Sequence, residues 1–451
     1  MLLSYHKLLS SVAINLVRFD FIPSEKSTMN IIIEYYHTCG YHGMYPLYWL
    51  PASLFSLRIY HSSKVIYDNS IGNYLIYMSL TTSMSNHIAK PFLATFIAAS
   101  FIAGLGMLSV SNMAFAQRVT INGAGATFPF PLIDTWRVEY QTVKPEVSIN
   151  YQSIGSGGGV KQFIEKTVDF GGTDAPLTSE EILQAPNAVH IPETIGSVVP
   201  AYNLPVEGLK LTGPILGDIF LGKITKWNDP KIQSINSGLS LPADDIVVVH
   251  RSDGSGTTFV WTDYLSNVSS GWEQQIGKGK SVQWPVGVGA PGNEGVANSI
   301  NTTPNSIGYV ELAYAITTGM KHAAVQNQAG NFIQASINAT KATVAAAAPS
   351  LPAGDQPQSW TNVTVVNAPG ADSYPIASFS YLLLYKELTT NPSLNDQNKA
   401  QNLVDFINWA ITDGQQFAPD LGYVPLPDAV VQQTQETLRG LTFNGAPLQV
   451  S

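Results

Sequence analysis

Residues 251–257 read Arg251-Ser252-Asp253-Gly254-Ser255-Gly256-Thr257, and an apolar run with helical spacing follows directly. A cation, a glycine turn and hydroxyls therefore sit where a helix is predicted to begin. The first amides of a helix have no backbone partner and point outward, with the positive end of the helix dipole behind them. Such a start is a site for an oxyanion.

Two upstream segments share this build. Gly123-Ala124-Gly125-Ala126-Thr127-Phe128 follows residues 119–122, which read as a short strand, and precedes Leu132, Trp136, Tyr140 and Val143, spaced as one helix face. Gly155-Ser156-Gly157-Gly158-Gly159 follows the alternating residues 147–151 and precedes the helical stripe Val160, Phe163, Ile164. Each segment alone also reads as a plain strand-to-helix turn, with glycine supplying positive φ. Three in one chain, each at a predicted helix start, point to a shared anion.

The remaining elements supply the frame. Residues 168–172 read as a short strand ending near Asp174, and Thr178-Ser179-Glu180-Glu181 resembles a capping box. Residues 246–250 and 376–385 are apolar runs suited to buried strands, 306–316 strand then helix, 402–411 an amphipathic helix. Trp261, Leu265 and Val268 form the stripe behind Thr257; the glycine-rich 284–297 reads as loop, and the Ala/Pro-rich 343–358 as a helix end plus surface loop. Recurring strand, glycine turn and helix predict an α/β fold with a mainly parallel sheet.

Composition narrows the function. The chain has 451 residues, 45% hydrophobic and 12% charged, room for two to three domains. Residues 90–116 pass from Lys90 through the apolar Phe92 to Leu108 to Ala114-Phe115-Ala116, the pattern of a secretory signal peptide. The 83 residues before Met84, with the single Cys39, are expected to be a mis-assigned upstream extension, Met84 being the start and Gln117 the mature N-terminus. A Gln at that position excludes lipid attachment through an N-terminal cysteine. Residues 117–451 hold 17 basic and 28 acidic side chains and no cysteine, which argues against nucleic acid and against disulfide or thiol chemistry. A soluble periplasmic protein is expected.

Other chemistries fit poorly. No turn ends in the Gly-Lys-Ser/Thr of a nucleotide-hydrolase phosphate loop. Asp253 stands where a nucleophile elbow around Ser255 needs glycine. His190, His250 and His322 lack metal-ligand spacing, and His250 beside a strand end reads as structural.

At GAGATFPFP, YQSIGSGGGVKQ, VDFGGTDAPLT, LGKITKWNDPKI, RSDGSGTTFVW, IGYVELAYA and LPDAVV, in order over 119–431, the chain resembles the periplasmic phosphate-binding proteins of high-affinity phosphate ABC transporters, the PstS family. The resemblance implies a two-lobed α/β periplasmic-binding-protein fold of type II, hinged, with lobe one at 117–196 and 374–451 and lobe two at 197–373. It implies a monomer that captures inorganic phosphate for inner-membrane permease subunits and their ATPase, with no cofactor, metal or catalysis. Carried over by position, the phosphate contacts are Ala126, Thr127 and Phe128, Ser156, Asp174, Arg251, Ser255, Gly256 and Thr257, with Asp253 supporting Arg251. Gly157 stands where some members have a second serine.

The implied chemistry is self-consistent. With net negative charge, the protein cannot rely on long-range steering; local amides, hydroxyls and one guanidinium must bind the anion. A carboxylate at Asp174 makes sense if the ligand carries a proton to donate, which phosphate has and sulfate lacks. The bland alternative is that Asp174 caps the next helix. The rival readings are a secreted phosphatase, a receptor for sulfate or molybdate, and a surface protein retaining the pocket.

Overall fold

Each of the three glycine-rich turns links a strand to a helix. The computed structural model describes residues 118–347 and 363–450, and the backbone of four strands near the N-terminus. The chain separates into two compact units, Met1–Ala114 and Phe115–Ser451. In the first, β1 (Val17–Pro23), β2 (Thr28–His37), β3 (Ser62–Asp68) and β4 (Asn73–Ser83) pair antiparallel in the order β1-β2-β4-β3. The expected signal peptide, residues 84–116, lies outside the described residues, as do residues 348–358 of the Ala/Pro-rich segment. No described helix is long and apolar enough to cross a membrane.

The second unit is built on one sheet. β5 (Val119–Gly125) lies between β6 (Val147–Ser153) and β7 (Phe170–Thr173), all parallel. β8 (Ala188–Tyr202) follows, and β9 (Lys210–Leu211) leads away from it. A second parallel group comprises β10 (Val247–Arg251), β11 (Val288–Ala290) and β12 (Ser306–Glu311). β13 (Lys321–His322) adds to β8; β14 (Ala324–Gln326) and β15 (Phe332–Ile333) join β9 in a small sheet. β16 (Ala377–Tyr385) returns to the centre. The main order is β11-β10-β12-β8-β16-β7-β5-β6.

The expectation of a mainly parallel sheet needs correction. β8 is antiparallel to β16 and β12, and β16 to β7, so two parallel halves meet at an antiparallel centre. β8 joins them: it pairs with β16 over Ala188–Ser197, then with β12 over Val198–Tyr202. All fifteen of its residues are buried, as befits a strand covered on both faces.

Most helix stripes behave as read. Leu132, Trp136 and Tyr140 are buried on the helix Phe130–Val143, whereas Val143, at its last turn, is exposed. Thr178 and Glu181 form the capping box of Ser179–Gln184. The segment 284–297 is not all loop: it contains β11 and the start of the helix Gly292–Thr302. Two glycines and three asparagines in that helix lower its propensity. Its buried residues Asn293, Val296, Ala297 and Ile300 nevertheless keep the i, i+3, i+4, i+7 face, with a polar residue in one apolar position.

Candidate functional site

The first turn leaves β5 with its backbone partly committed. The Ala126 amide donates to the Gly172 carbonyl at 3.0 Å, and the Ala126 carbonyl accepts from Tyr151 Oη at 3.0 Å. Ala126 thus locks the turn and has no amide left for a ligand. Among the described residues the amides of Thr127 and Phe128 have no backbone partner. The carbonyl of Thr127 accepts from Tyr314 Oη and that of Phe128 from Tyr423 Oη, each at 2.6 Å.

The second turn starts a helix at once. Gly155 has φ 82°, and Ser156 is the first residue of Ser156–Ile164. This helix start touches the third turn: the Gly157 amide donates to the Gly254 carbonyl at 2.8 Å. A Cβ on Gly157 would fall 2.9 Å from Gly254 Cα, so a serine at this position would force these backbones apart.

The third turn carries the cation. Arg251 ends β10, and its amide donates to Tyr309 Oη at 3.1 Å, which also bonds Thr258 Oγ1 at 2.6 Å. The guanidinium donates from Nε and Nη2 to the two Asp253 oxygens at 2.7 and 2.5 Å. Both Nη1 protons and the second Nη2 proton are left over from that pair; Nη1 lies 3.5 Å from Thr257 Oγ1. Burial works against the Asp253 charge, but the hydrogen bonds and charge of Arg251 and the Gly292 amide hold its pKa below the usual value. Ser255 Oγ accepts from the Thr258 amide at 3.0 Å and its own amide donates to the Lys280 carbonyl; Ser255 is the N-cap of Gly256–Val268. The Gly256 and Thr257 amides have no backbone partner among the described residues.

These parts converge. A Cβ on Gly256 would lie 2.4 Å from both Asp174 Oδ2 and Ser156 Oγ, so only glycine lets the helix of one half reach the carboxylate of the other. Asp174 is 1% exposed. It accepts from Ser380 Oγ at 2.9 Å and its Oδ2 lies 3.3 Å from Ser156 Oγ. Burial pushes its pKa up to about 7, against the lowering influence of Ser380, Arg251 and Ser156. Asp174 is not a helix cap, since Thr178 does that work.

Two residues escaped the sequence reading. Glu193 is the extra residue of a β-bulge, where Ser380 pairs with Thr194 and Tyr381 with Pro192. The bulge sends its carboxyl to Ser380 Oγ at 3.0 Å. Asn293 donates from Nδ2 to Thr127 Oγ1 at 2.8 Å and Thr257 Oγ1 at 3.0 Å. Asn293 lay hidden in the supposed loop; Glu193 carried no signal beyond a charge in an apolar run.

The histidines stay apart. His190 Nε2 accepts from the Leu177 amide at 3.1 Å, and burial, with Lys280 adding to it, lowers its pKa to about 3. His250 stacks on Trp284. The halves also meet at the Lys280–Glu181 ion pair, 2.5 Å.

The PBP superfamily domain model matches residues 111–413. The phosphate-binding protein PstS of Pasteurella multocida is 45% identical over 322 residues, covering 71% of this chain and 90% of that protein. That of Xylella fastidiosa is 46% identical over 327 residues, covering 71% and 85%. A phosphate-binding protein from Stenotrophomonas maltophilia shares the fold with TM-score 0.54 at 20% identity, over 72% of this chain and 99% of that one. The high-affinity periplasmic phosphate-binding protein PfluDING gives 0.55 at 20% identity, over the same shares.

Proposed function

Because the chain belongs to the PstS family of phosphate-binding proteins, we propose that it captures inorganic phosphate between its two halves and delivers it to the inner-membrane permease of an ABC transporter. The observation that carries this is the convergence on one point of donors from both halves. Thr127, Phe128 and Ser156 come from the turns after β5 and β6; Arg251 comes from the end of β10, and Gly256 and Thr257 from the helix start that follows it. Ala126 and Ser255 hold the turns in shape, Asp253 aims Arg251, and Asp174 accepts the proton of the ligand.

The energetics suffice. A hydrogen bond to a charged group contributes about 1.5–3 kcal/mol, and micromolar affinity requires about 8 kcal/mol. Several amides, hydroxyls and Nη1 reach that without help from net charge. Closing the halves excludes water and lets both grip one anion, and the closed form is the one offered to the permease. The role is binding without chemistry on the phosphate.

Lobe one is assigned to 117–196 and 374–451 and lobe two to 197–373; the change of partner along β8 supports that division. Export to the periplasm after cleavage before Gln117, without a lipid anchor, and action as a monomer complete the reading. Calorimetric titration of ligand-stripped protein with inorganic phosphate tests it. One-to-one saturable heat is expected, and a flat trace contradicts the proposal.

A further inference from the structure

Asn293 is fully buried and every polar group of its side chain is used. Its Oδ1 accepts from the Glu311 amide at 3.0 Å, which fixes the orientation of the amide, because a flipped group would aim Nδ2 at another donor. Its two Nδ2 protons go to Thr127 Oγ1 and Thr257 Oγ1. Its backbone amide also donates to Thr127 Oγ1, at 3.2 Å. Thr257 Oγ1 has a second donor in Arg251 Nη1.

A hydroxyl has two lone pairs and one proton. With two donors aimed at each threonine oxygen, both lone pairs are taken and only the O–H is left to give. We infer that Asn293 is a positioning residue that turns the hydroxyls of Thr127 and Thr257 into obligatory donors toward the bound anion, and that it does so only when the halves are closed. This rests on the phosphate reading. Thr127 belongs to the turn after β5, whereas Asn293, Thr257 and Arg251 stand on the group of β10 to β12 and its helices. Opening the cleft removes Thr127 from Asn293 and frees its hydroxyl to rotate. Closure therefore assembles the polarity of the site as well as its shape.

A double-mutant cycle separates this role from packing of the helix Gly292–Thr302. Asn293→Leu keeps the branched shape and removes both side-chain donors. It is expected to weaken phosphate binding at least 30-fold in the native background. In a Thr127→Val, Thr257→Val background, where no hydroxyl remains to orient, the same change is expected to cost less than threefold. Asn293→Asp, which keeps the acceptor for the Glu311 amide, covers the case that the leucine variant does not fold; it is expected to lose at least 100-fold, because the hydroxyls then turn toward the carboxylate. An equal cost of Asn293→Leu in both backgrounds, or native affinity in Asn293→Asp, overturns the inference while leaving phosphate binding intact. Failure of the native protein to bind phosphate overturns the reading beneath it.

Discussion

Asp174 and Glu193 flank a single hydroxyl: Ser380 Oγ lies 2.9 Å from Asp174 Oδ1 and 3.0 Å from Glu193 Oε1. One proton cannot serve two carboxylates. Burial pushes Glu193 up to about 8, opposed by Ser380 and reinforced by the charge of Asp174. At neutral pH Glu193 therefore holds a proton and donates to Ser380, which in turn donates to Asp174. A carboxyl raised on folding adds stability below its unfolded pKa and loses it as pH rises through the folded value. Glu193→Gln has no such loss. Its melting temperature relative to native, without ligand, is expected to climb from pH 5 to pH 8; a pH-independent difference contradicts the chain of donors. Its phosphate affinity is expected to stay within threefold.

Asp174, near 7, makes selectivity depend on pH. In the proposed role, ionised Asp174 accepts the proton of phosphate and repels sulfate. Protonated, it donates to an oxyanion that has no proton. Sulfate affinity is expected to rise several-fold to tenfold per unit as pH falls from 9 to 7 and to level off below 7, checked by competition titration. A flat sulfate profile counts against Asp174 as the group facing the ligand.

The Arg251 guanidinium is oriented by Asp253, which holds Nε and one Nη2 proton, and this leaves its Nη1 face for the proposed anion. Lysine lacks that planar fork. A hydrogen bond to a charged group contributes about 1.5–3 kcal/mol, and losing Arg251 also leaves the Asp253 charge uncompensated beside the anion, so Arg251→Met is expected to weaken phosphate binding by at least 10²-fold, and Arg251→Lys to recover little of it. Full recovery by lysine shows that charge alone matters.

The pair Lys280–Glu181 joins the halves at 14% and 19% side-chain exposure. Partly screened pairs contribute about 0.2–1 kcal/mol. Lys280→Met is expected to raise the phosphate off-rate about two- to fivefold with little change in on-rate, measured by stopped-flow. An unchanged off-rate means that the pair does not hold the closed form.

The three turns were legible because glycine, hydroxyl and arginine at a helix start leave a mark in the chain itself. β8 and β16 were harder. Their antiparallel pairing is a long-range choice, and a buried strand reads the same in either direction. Asn293 sits at an apolar position of a helix poor in helix formers, and the glycine-rich composition of 284–297 made the segment read as a loop. Glu193 depends on a bulge set by the register of Pro192 and Ser380, which no local pattern announces. Ala126 and Ser255 fell in the right turns, but their amides turned out to be occupied by Gly172 and Lys280.

The most direct test of the central claim is the ratio of phosphate to sulfate affinity at pH 8, in native protein and in Asp174→Asn. A site built around a hydrogen bond rejects the analogue lacking it by roughly 10⁴-fold, and that preference is expected in the native protein. Asparagine can accept from phosphate or donate to sulfate, so the ratio is expected to shrink by two orders of magnitude or more. Equal affinities in the native protein, or a ratio untouched by Asp174→Asn, would contradict a site that recognises its anion by the proton it carries.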